Sequence, residues 1–383
     1  AARWSVATAA AAPTAAAELV GKSSLKTAFG VPAFDDDDMD TVACVVATAP
    51  DAAAPLLLHR IADAAALQHV RAAVKDLACD DARVARFPGP NPVSLDTSHF
   101  SRLAGEAYYV CEKTDGVRFA LVCCRVPAGD SKPLNVCALL DRSLTAYVLP
   151  QRWLPRAAYQ GTLLDGEVAW NKVRRRWEFL AFDAVCVSGI PVMHAPLTQR
   201  MDAVHRVLRV LTDARSRAAG TGGGADTDPV DLVPKTFVPC RSLREFEDRL
   251  PRLRASYDID GVVLTPAAAP VAFGRHPGMF KLKFDARHTV DFLVGADGRQ
   301  LSVFDSGAHV VVGTLAPGHA APAGAIAECG VAPGAAPDAI ARWVVVTVRS
   351  DKPTANDMLT YRKTLLNMRE NLGMADLRRL FLK

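Results

Sequence analysis

From Phe87 onward the chain breaks into short apolar runs, each closed by a glycine, a proline or an Asp-Gly pair, and this texture confines it to a packed, strand-rich fold. Pro88, Gly89, Pro90 and Pro92 form the breaker cluster at the boundary. Strands are predicted at Tyr108–Glu112 and Val117–Val126, flanking a tight hairpin turn at Lys113-Thr114-Asp115-Gly116. Further strands are predicted at Leu134–Asp141, Thr162–Asn171, Trp177–Val187 and Gly261–Thr265. Helices fit Leu197–Leu211 and Leu243–Arg254, and the glycine-rich stretch Ser216–Asp231 reads as a flexible loop. After Phe284 a smaller β domain is expected, with strands at Val290–Val294, Gln300–Asp305, Val310–Leu315 and Trp343–Arg349. A Pro/Gly/Ala-rich insertion, Ala316–Asp338, interrupts it, and a helical tail follows in which Met374, Leu377 and Phe381 share a face. About five short strands and a helix in that span suit an OB-type barrel.

Residues 1–80 read as an extension of unknown role. Leu57, Ile61, Ala65, Leu67 and Val70 predict a helix within 52–77, and Asp35–Asp38 with Asp40 read as a solvated linker. This extension holds 6 Lys and Arg against 10 Asp and Glu, so in a chain of net charge +4 the remainder is basic and suits an anionic partner. No stretch approaches the roughly 20 apolar residues that span a bilayer, so no membrane association is expected. Nine cysteines, odd in number and thinly spread, favour reduced thiols and an intracellular home. A start at Ala1 rather than Met is expected of a fragment or a processed form.

The chain lacks a phosphate loop, a His-Glu-x-x-His site, a Cys-x-x-Cys zinc pair and a Gly-x-Ser-x-Gly elbow. What remains is charge placed at strand ends. Lys113 sits in an otherwise apolar stretch, where partial desolvation and neighbouring cations lower an amine's pKa from about 10.4 and expose a nucleophile. Lys281 and Lys283, two apart on a strand, face the same side and converge on one anion. Leu163-Leu164-Asp165-Gly166-Glu167 and Asp258-Ile259-Asp260-Gly261 set carboxylates beside glycines at strand edges, suited to Mg²⁺ or ribose hydroxyls. Arg349-Ser350-Asp351-Lys352 is a charged cluster leaving a strand. Taken singly, each also fits a solvated turn or rim.

In this order the segments resemble the mRNA-capping guanylyltransferases, of the covalent nucleotidyltransferase superfamily shared with ATP-dependent DNA and RNA ligases. The likeness runs from about Phe87 to Asn356 through Lys113–Arg118, Leu163–Glu167, Phe179–Asp183, Asp260–Leu264, Phe280–Lys283 and Arg349–Lys352. Phe87-Pro88-Gly89 with Asn91-Pro92-Val93-Ser94, then Leu140-Asp141-Arg142, Thr289-Val290-Asp291-Phe292 and Asn356 resemble the capping branch rather than the ligases. Two places depart: Leu282 stands where tryptophan is usual, and the proline after Lys352 is shifted, yet neither removes a charge.

The resemblance implies an α+β fold: an antiparallel-sheet nucleotidyltransferase domain over 81–286, then a smaller OB-fold domain with C-terminal helices over 287–383. It implies that Lys113 takes GMP from GTP and passes it to the 5′-diphosphate end of RNA. Lys281 and Lys283 then fit the α-phosphate, Arg118 and Glu167 the ribose, Phe182 the guanine, and Arg142 the RNA-end phosphate. Glu112, Thr114 and Asp115 flank the nucleotide, and Lys235, expected in a strand, faces the base. Glu167 and Asp260 are the candidate ligands for Mg²⁺ or Mn²⁺. Arg349, Asp351 and Lys352 on the smaller domain act when it closes over GTP. Candidate partners are RNA 5′ ends, the RNA polymerase II tail and other capping enzymes. The reaction implies nuclear residence, with the cytoplasm as the alternative. Rival readings are an ATP-dependent polynucleotide ligase and an inactive RNA- or polymerase-binding scaffold of the same fold.

Overall fold

Leu56, Leu58 and Ile61 are buried while Leu57 is 53% exposed, an alternation of period two that makes this stretch a strand rather than the start of a helix. The structure, a computed structural model, describes all residues except 1–40, 50, 53, 80–85, 129–130, 152–153, 221–227, 285–287, 333, 335–341, 351 and 383. Asp35–Asp38, Asp40, Asp351 and parts of the predicted loop and insertion therefore lie outside the described residues.

In chain order come β1 (Thr41–Ala47), β2 (Leu56–Ile61), α1 (Ala64–Leu77), β3 (Pro90–Ser94), α2 (Phe100–Gly105), β4 (Tyr108–Thr114) and β5 (Val117–Ala128). There follow β6 (Ser131–Leu140), β7 (Ala146–Val148), β8 (Thr162–Asn171), β9 (Arg176–Val187), β10 (Ile190–Pro191) and α3 (Leu197–Gly220). Next are β11 (Asp231–Pro234), β12 (Val238–Pro239), α4 (Leu243–Ser256), β13 (Ile259–Pro266) and β14 (Gly274–Lys283). The last are β15 (Val290–Val294), β16 (Gln300–Asp305), β17 (Ala308–Thr314), β18 (Ile326–Val331), β19 (Trp343–Val348), α5 (Met358–Glu370) and α6 (Met374–Phe381).

Two compact units result. One holds the chain to Val93, Glu106–Ile259 and Val263–Phe280; the other holds Ser94–Gly105, Asp260–Val262 and Lys281–Lys383. In the first, a nine-stranded sheet runs β1-β2-β7-β6-β5-β8-β9-β10, with β11 parallel to β9. Phe119, Leu121 and Cys123 of β5 share a core with Leu197, Met201 and Val204 of α3. The alternate residues Ala120, Val122 and Cys124 share the opposite core with Val70 and Val74 of α1. A strand covered on both faces reads as an unbroken apolar run, as β5 does.

A second sheet runs β12-β4-β13-β14-β3. The hairpin predicted at Lys113–Gly116 is therefore absent, because β4 and β5 belong to different sheets. The Asp115 N–H donates to the Asp258 carbonyl at 2.8 Å, and a Cβ on Gly116 would lie 2.7 Å from the Val168 carbonyl oxygen. Asp-Gly here is the tight crossing between sheets, which only a residue without a side chain can make.

In the second unit the antiparallel sheet β17-β16-β15-β18-β19 is joined by a parallel bridge from Leu315 to Trp343. The Ala316 N–H also donates to the Trp343 carbonyl at 2.8 Å. This order and closure are those of an OB-type barrel. β18 lies inside the predicted insertion, where small residues hide its pattern although Ile326, Ala327, Glu328 and Cys329 are all buried. Trp343, fully buried, meets Phe292 edge-on at 4.8 Å, and Tyr361 of α5 packs on Phe292 at 5.9 Å. Replacing Trp343 by Ala is expected to cost about 3–5 kcal/mol in denaturant unfolding. Val346→Ala, on the half-exposed side of the same strand, is expected to stay within about 0.5 kcal/mol.

Candidate active site

Lys113 is half-buried near the end of β4, between Glu112 and Thr114, which are both buried. Their position is held by a second lysine. Lys235, in the irregular segment after β11 rather than in a strand, is 5% exposed. Its ammonium donates to the Glu112 carbonyl at 3.0 Å, to Thr114 Oγ1 at 2.9 Å and to Glu167 Oε1 at 2.6 Å. Glu112 Oε1 lies 3.7 Å away. Burial alone would push this ammonium down, but Glu167 and Glu112 outweigh it and hold Lys235 above the usual lysine range. Burial raises the Glu112 carboxyl, and Lys235 opposes that rise. All three ammonium protons thus have protein acceptors, so Lys235 ties the residues on both sides of Lys113 to β8.

Arg118 forms the second cluster. Its Nε donates to Asp165 Oδ1 at 3.0 Å and Nη2 reaches the other oxygen, a bidentate pair. Nη1 reaches Asn91 Oδ1 at 3.1 Å and Nη2 also the Pro90 carbonyl at 2.8 Å. The guanidinium lies 5.0 Å from the Phe87 ring centre and 5.6 Å from that of Phe182, which also has the Lys235 ammonium at 5.7 Å. The β5–β8 register sets Arg118 opposite Glu167 and Ala120 opposite Asp165, so Arg118 takes the diagonal carboxylate and leaves Glu167 to Lys235. Burial pushes Asp165 up to about 6 against the pull of Arg118, with Asp183 and Glu167 adding repulsion. Burial, then the Arg118 charge, hold Arg142 below the usual guanidinium range. Beside Phe182, the buried Asp183 accepts both Nε (2.6 Å) and Nη2 (3.0 Å) of Arg200.

In the second unit, Asp260 Oδ2 lies 3.8 Å from the Lys283 ammonium. A Cβ on Gly261 would strike the Leu282 carbonyl, so the strand carrying Asp260 presses close against the lysine-bearing strand. Lys281 and Lys283 are half-buried on either side of buried Leu282. Arg349 pairs with Asp291 at 3.4 Å and Glu328 at 3.5 Å, and Lys352 pairs with Asp291. The Asp291 N–H donates to Asn356 Oδ1 at 2.9 Å. Among the described residues no group of three or more His, Cys, Asp and Glu is placed to hold a metal ion. Glu167 has one oxygen committed to Lys235. Asp260, 31% exposed beside the Lys283 ammonium, is a carboxylate of the kind that binds Mg²⁺.

The mRNA capping enzyme catalytic domain matches residues 59–285 of this chain. The chain belongs to that family. It is 27% identical over 222 residues to the mRNA-capping enzyme subunit alpha of Schizosaccharomyces pombe, covering 54% of this chain and 53% of that protein. It is 26% identical over 234 residues to the mRNA-capping enzyme subunit alpha of Neurospora crassa, with the same coverages of 54% and 53%. The chain spans about half the length of these relatives. Among solved structures, mycobacterial DNA ligase D complexed with ATP and MES covers 69% of this chain and 95% of its own at 16% identity, with a TM-score of 0.39.

The Asp183–Arg200 pair of this capping-enzyme domain, and the hold that Asp165, Asn91 and Phe87 take on Arg118, escape assignment from sequence. Asp165 stands in a motif that was already conspicuous, but only the strand register shows which of its two carboxylates takes Arg118. A carboxyl raised on folding contributes stability that is complete below about pH 4 and lost as pH rises through about 6. Arg118→Ala removes the counter-charge and drives Asp165 higher still. Unfolding midpoints are expected to show a loss of about 3 kcal/mol at pH 8 that shrinks toward pH 5. A loss independent of pH would mean that Asp165 is not the group left stranded.

Proposed function

We propose that this chain is an mRNA guanylyltransferase. The Lys113 amine, having given up a proton, attacks the α-phosphorus of GTP; a P–N bond forms, the bond to the bridging oxygen breaks, and pyrophosphate leaves. A β-phosphate oxygen of 5′-diphosphate RNA then attacks the same phosphorus, the P–N bond breaks, and the lysine recovers its proton. The observation that carries this reading is the match over 59–285, which takes in Lys113, Glu167, Asp260, Lys281 and Lys283 in one capping-enzyme domain.

Charge builds on the non-bridging oxygens in both steps, so positioned cations supply most of the catalysis. Lys281 and Lys283 take the α-phosphate. Arg118, anchored on Asp165, meets the ribose with Glu167, and Phe182 stacks on guanine. Arg142 meets the RNA-end phosphate. Glu112, Thr114 and Asp115 frame the nucleophile, and Lys235 positions them rather than reading the base. Asp260 would hold Mg²⁺ or Mn²⁺ together with the phosphates, where the metal neutralises their charge. Arg349, Asp351 and Lys352 act when the OB domain closes over GTP. Division into a nucleotidyltransferase domain over 81–286 and an OB domain over 287–383 belongs to the same reading. Partners would be RNA 5′ ends, the RNA polymerase II tail and other capping enzymes, in the nucleus. Among the described residues no helix is long and apolar enough to cross a membrane.

Incubation with α-labelled GTP or ATP, followed by denaturing electrophoresis, tests the proposal. A band from GTP alone is expected, and it should vanish in Lys113→Ala with the fold intact. A band from ATP alone would make the protein a ligase, and label surviving in that variant would place the nucleophile elsewhere. Arg349→Ala or Lys352→Ala should lower adduct formation about a hundredfold while sparing transfer from preformed adduct. Equal loss of both steps would argue against a role limited to closure.

A further inference from the structure

The second unit contains an open cleft of about 210 Å³, most of whose lining has no part in the chemistry above. One wall carries Lys281 and Lys283 with His288; the other carries Thr360, Thr364 and Asn367 of α5. These last three fall at i, i+4 and i+7, a single stripe along the helix. The same helix spends a different stripe on the barrel, where Met358, Tyr361, Leu365 and Met368 join the core. So α5 is two-faced: an apolar face closes the barrel, and a stripe of hydroxyls and an amide looks across at two lysines.

The chemistry of the walls narrows the ligand. Lysines alone would suit any polyphosphate. The Thr360 hydroxyl and the Asn367 amide both donate and accept, as does His288, which burial and Lys283 push toward the neutral form; Thr364, whose hydroxyl donates to the Thr360 carbonyl at 2.9 Å, can accept. That combination fits a phosphodiester together with a sugar hydroxyl. Among the described residues no Phe, Tyr or Trp lines the cleft, so the grip falls on the backbone rather than on a stacked base. The volume admits a sugar and its phosphate but not a duplex.

Resting on the guanylyltransferase reading, we infer that this cleft takes the ribose–phosphate backbone of single-stranded RNA just behind its 5′-diphosphate, and that Thr360, Thr364 and Asn367 distinguish RNA from DNA by the 2′-hydroxyl. The 2′-hydroxyl is the group by which a protein tells the two apart at a given site. Lys281 and Lys283 lie in the same cleft, so a backbone bound there is brought to the lysines proposed to act on the transferring phosphate.

The test uses the full chain carrying preformed GMP adduct, with a 5′-diphosphate RNA octamer and a DNA octamer of the same sequence. Wild-type protein should transfer to RNA with a KM about tenfold below that for DNA. The triple variant Thr360→Val, Thr364→Val, Asn367→Leu should raise the RNA KM about five- to tenfold with kcat little changed, and bring the RNA-to-DNA ratio toward one. Asn367→Asp, a milder change, should weaken RNA by repulsion and guards against a folding defect in the triple variant. An unchanged RNA KM and RNA-to-DNA ratio in both variants overturns the inference. So does inorganic pyrophosphate competing as well as RNA, which would give the cleft to the leaving group. Failure of the wild type to form any adduct sinks the guanylyltransferase reading instead. Fluorescence anisotropy with labelled RNA and DNA octamers then decides the cleft: RNA preference lost in the variants upholds it, and equal binding of both octamers rejects it.

Discussion

A buried ammonium among carboxylates is the contact on which the first unit's site depends. Lys235 is inside the protein, where an unpaired charge would be prohibitively costly, and it is tolerated because Glu167, Glu112 and Thr114 supply its acceptors. The consequence is geometric. The backbone carbonyl of Glu112 and the hydroxyl of Thr114 are held by one group, so the backbone on either side of Lys113 is fixed in direction. The guanylyltransferase proposed above would need that arrangement of its nucleophile: a rigid backbone under a side chain able to reach.

The Arg118–Asp165 pair follows the same logic with a different balance. Asp165 and Glu167 of β8 are divided between two cations: Arg118, from the neighbouring strand β5, takes Asp165, and Lys235, from the segment after β11, takes Glu167. Phe182 lies within cation–π distance of both cations, which joins the two clusters through an aromatic face. Burial lifts Asp165 to about 6, so this pair titrates in mild acid. In the second unit the cations are more exposed, Lys352 and Lys283 being 35% and 40% accessible. Arg349 and Lys352 both settle on Asp291, which Asn356 holds by its backbone N–H.

Much of the fold was legible in the residues. The spans of β8, β15 and β16 are the predicted ones, because their alternation and bounding turns leave little choice. Three elements were not legible, for separate reasons. β2 reads as helix because Leu57 and Ile61 happen to fall at helical spacing, and only the burial of Leu56 and Leu58 betrays the true period. β18 is masked by its small residues. The Lys113–Gly116 turn carries a strong hairpin signal, yet the strands on either side take other partners, a choice that no local signal encodes.

The same division runs through the site. The residue types and their order along the chain by themselves carry the resemblance to the capping family, and from that resemblance alone come the roles proposed for the lysine, the paired lysines and the strand-end carboxylates. Which carboxylate meets which cation, and that Lys235 bonds the residues on both sides of Lys113, were decided by tertiary structure alone. Pairing depends on strand register and burial, and these are set by contacts between segments far apart in the chain.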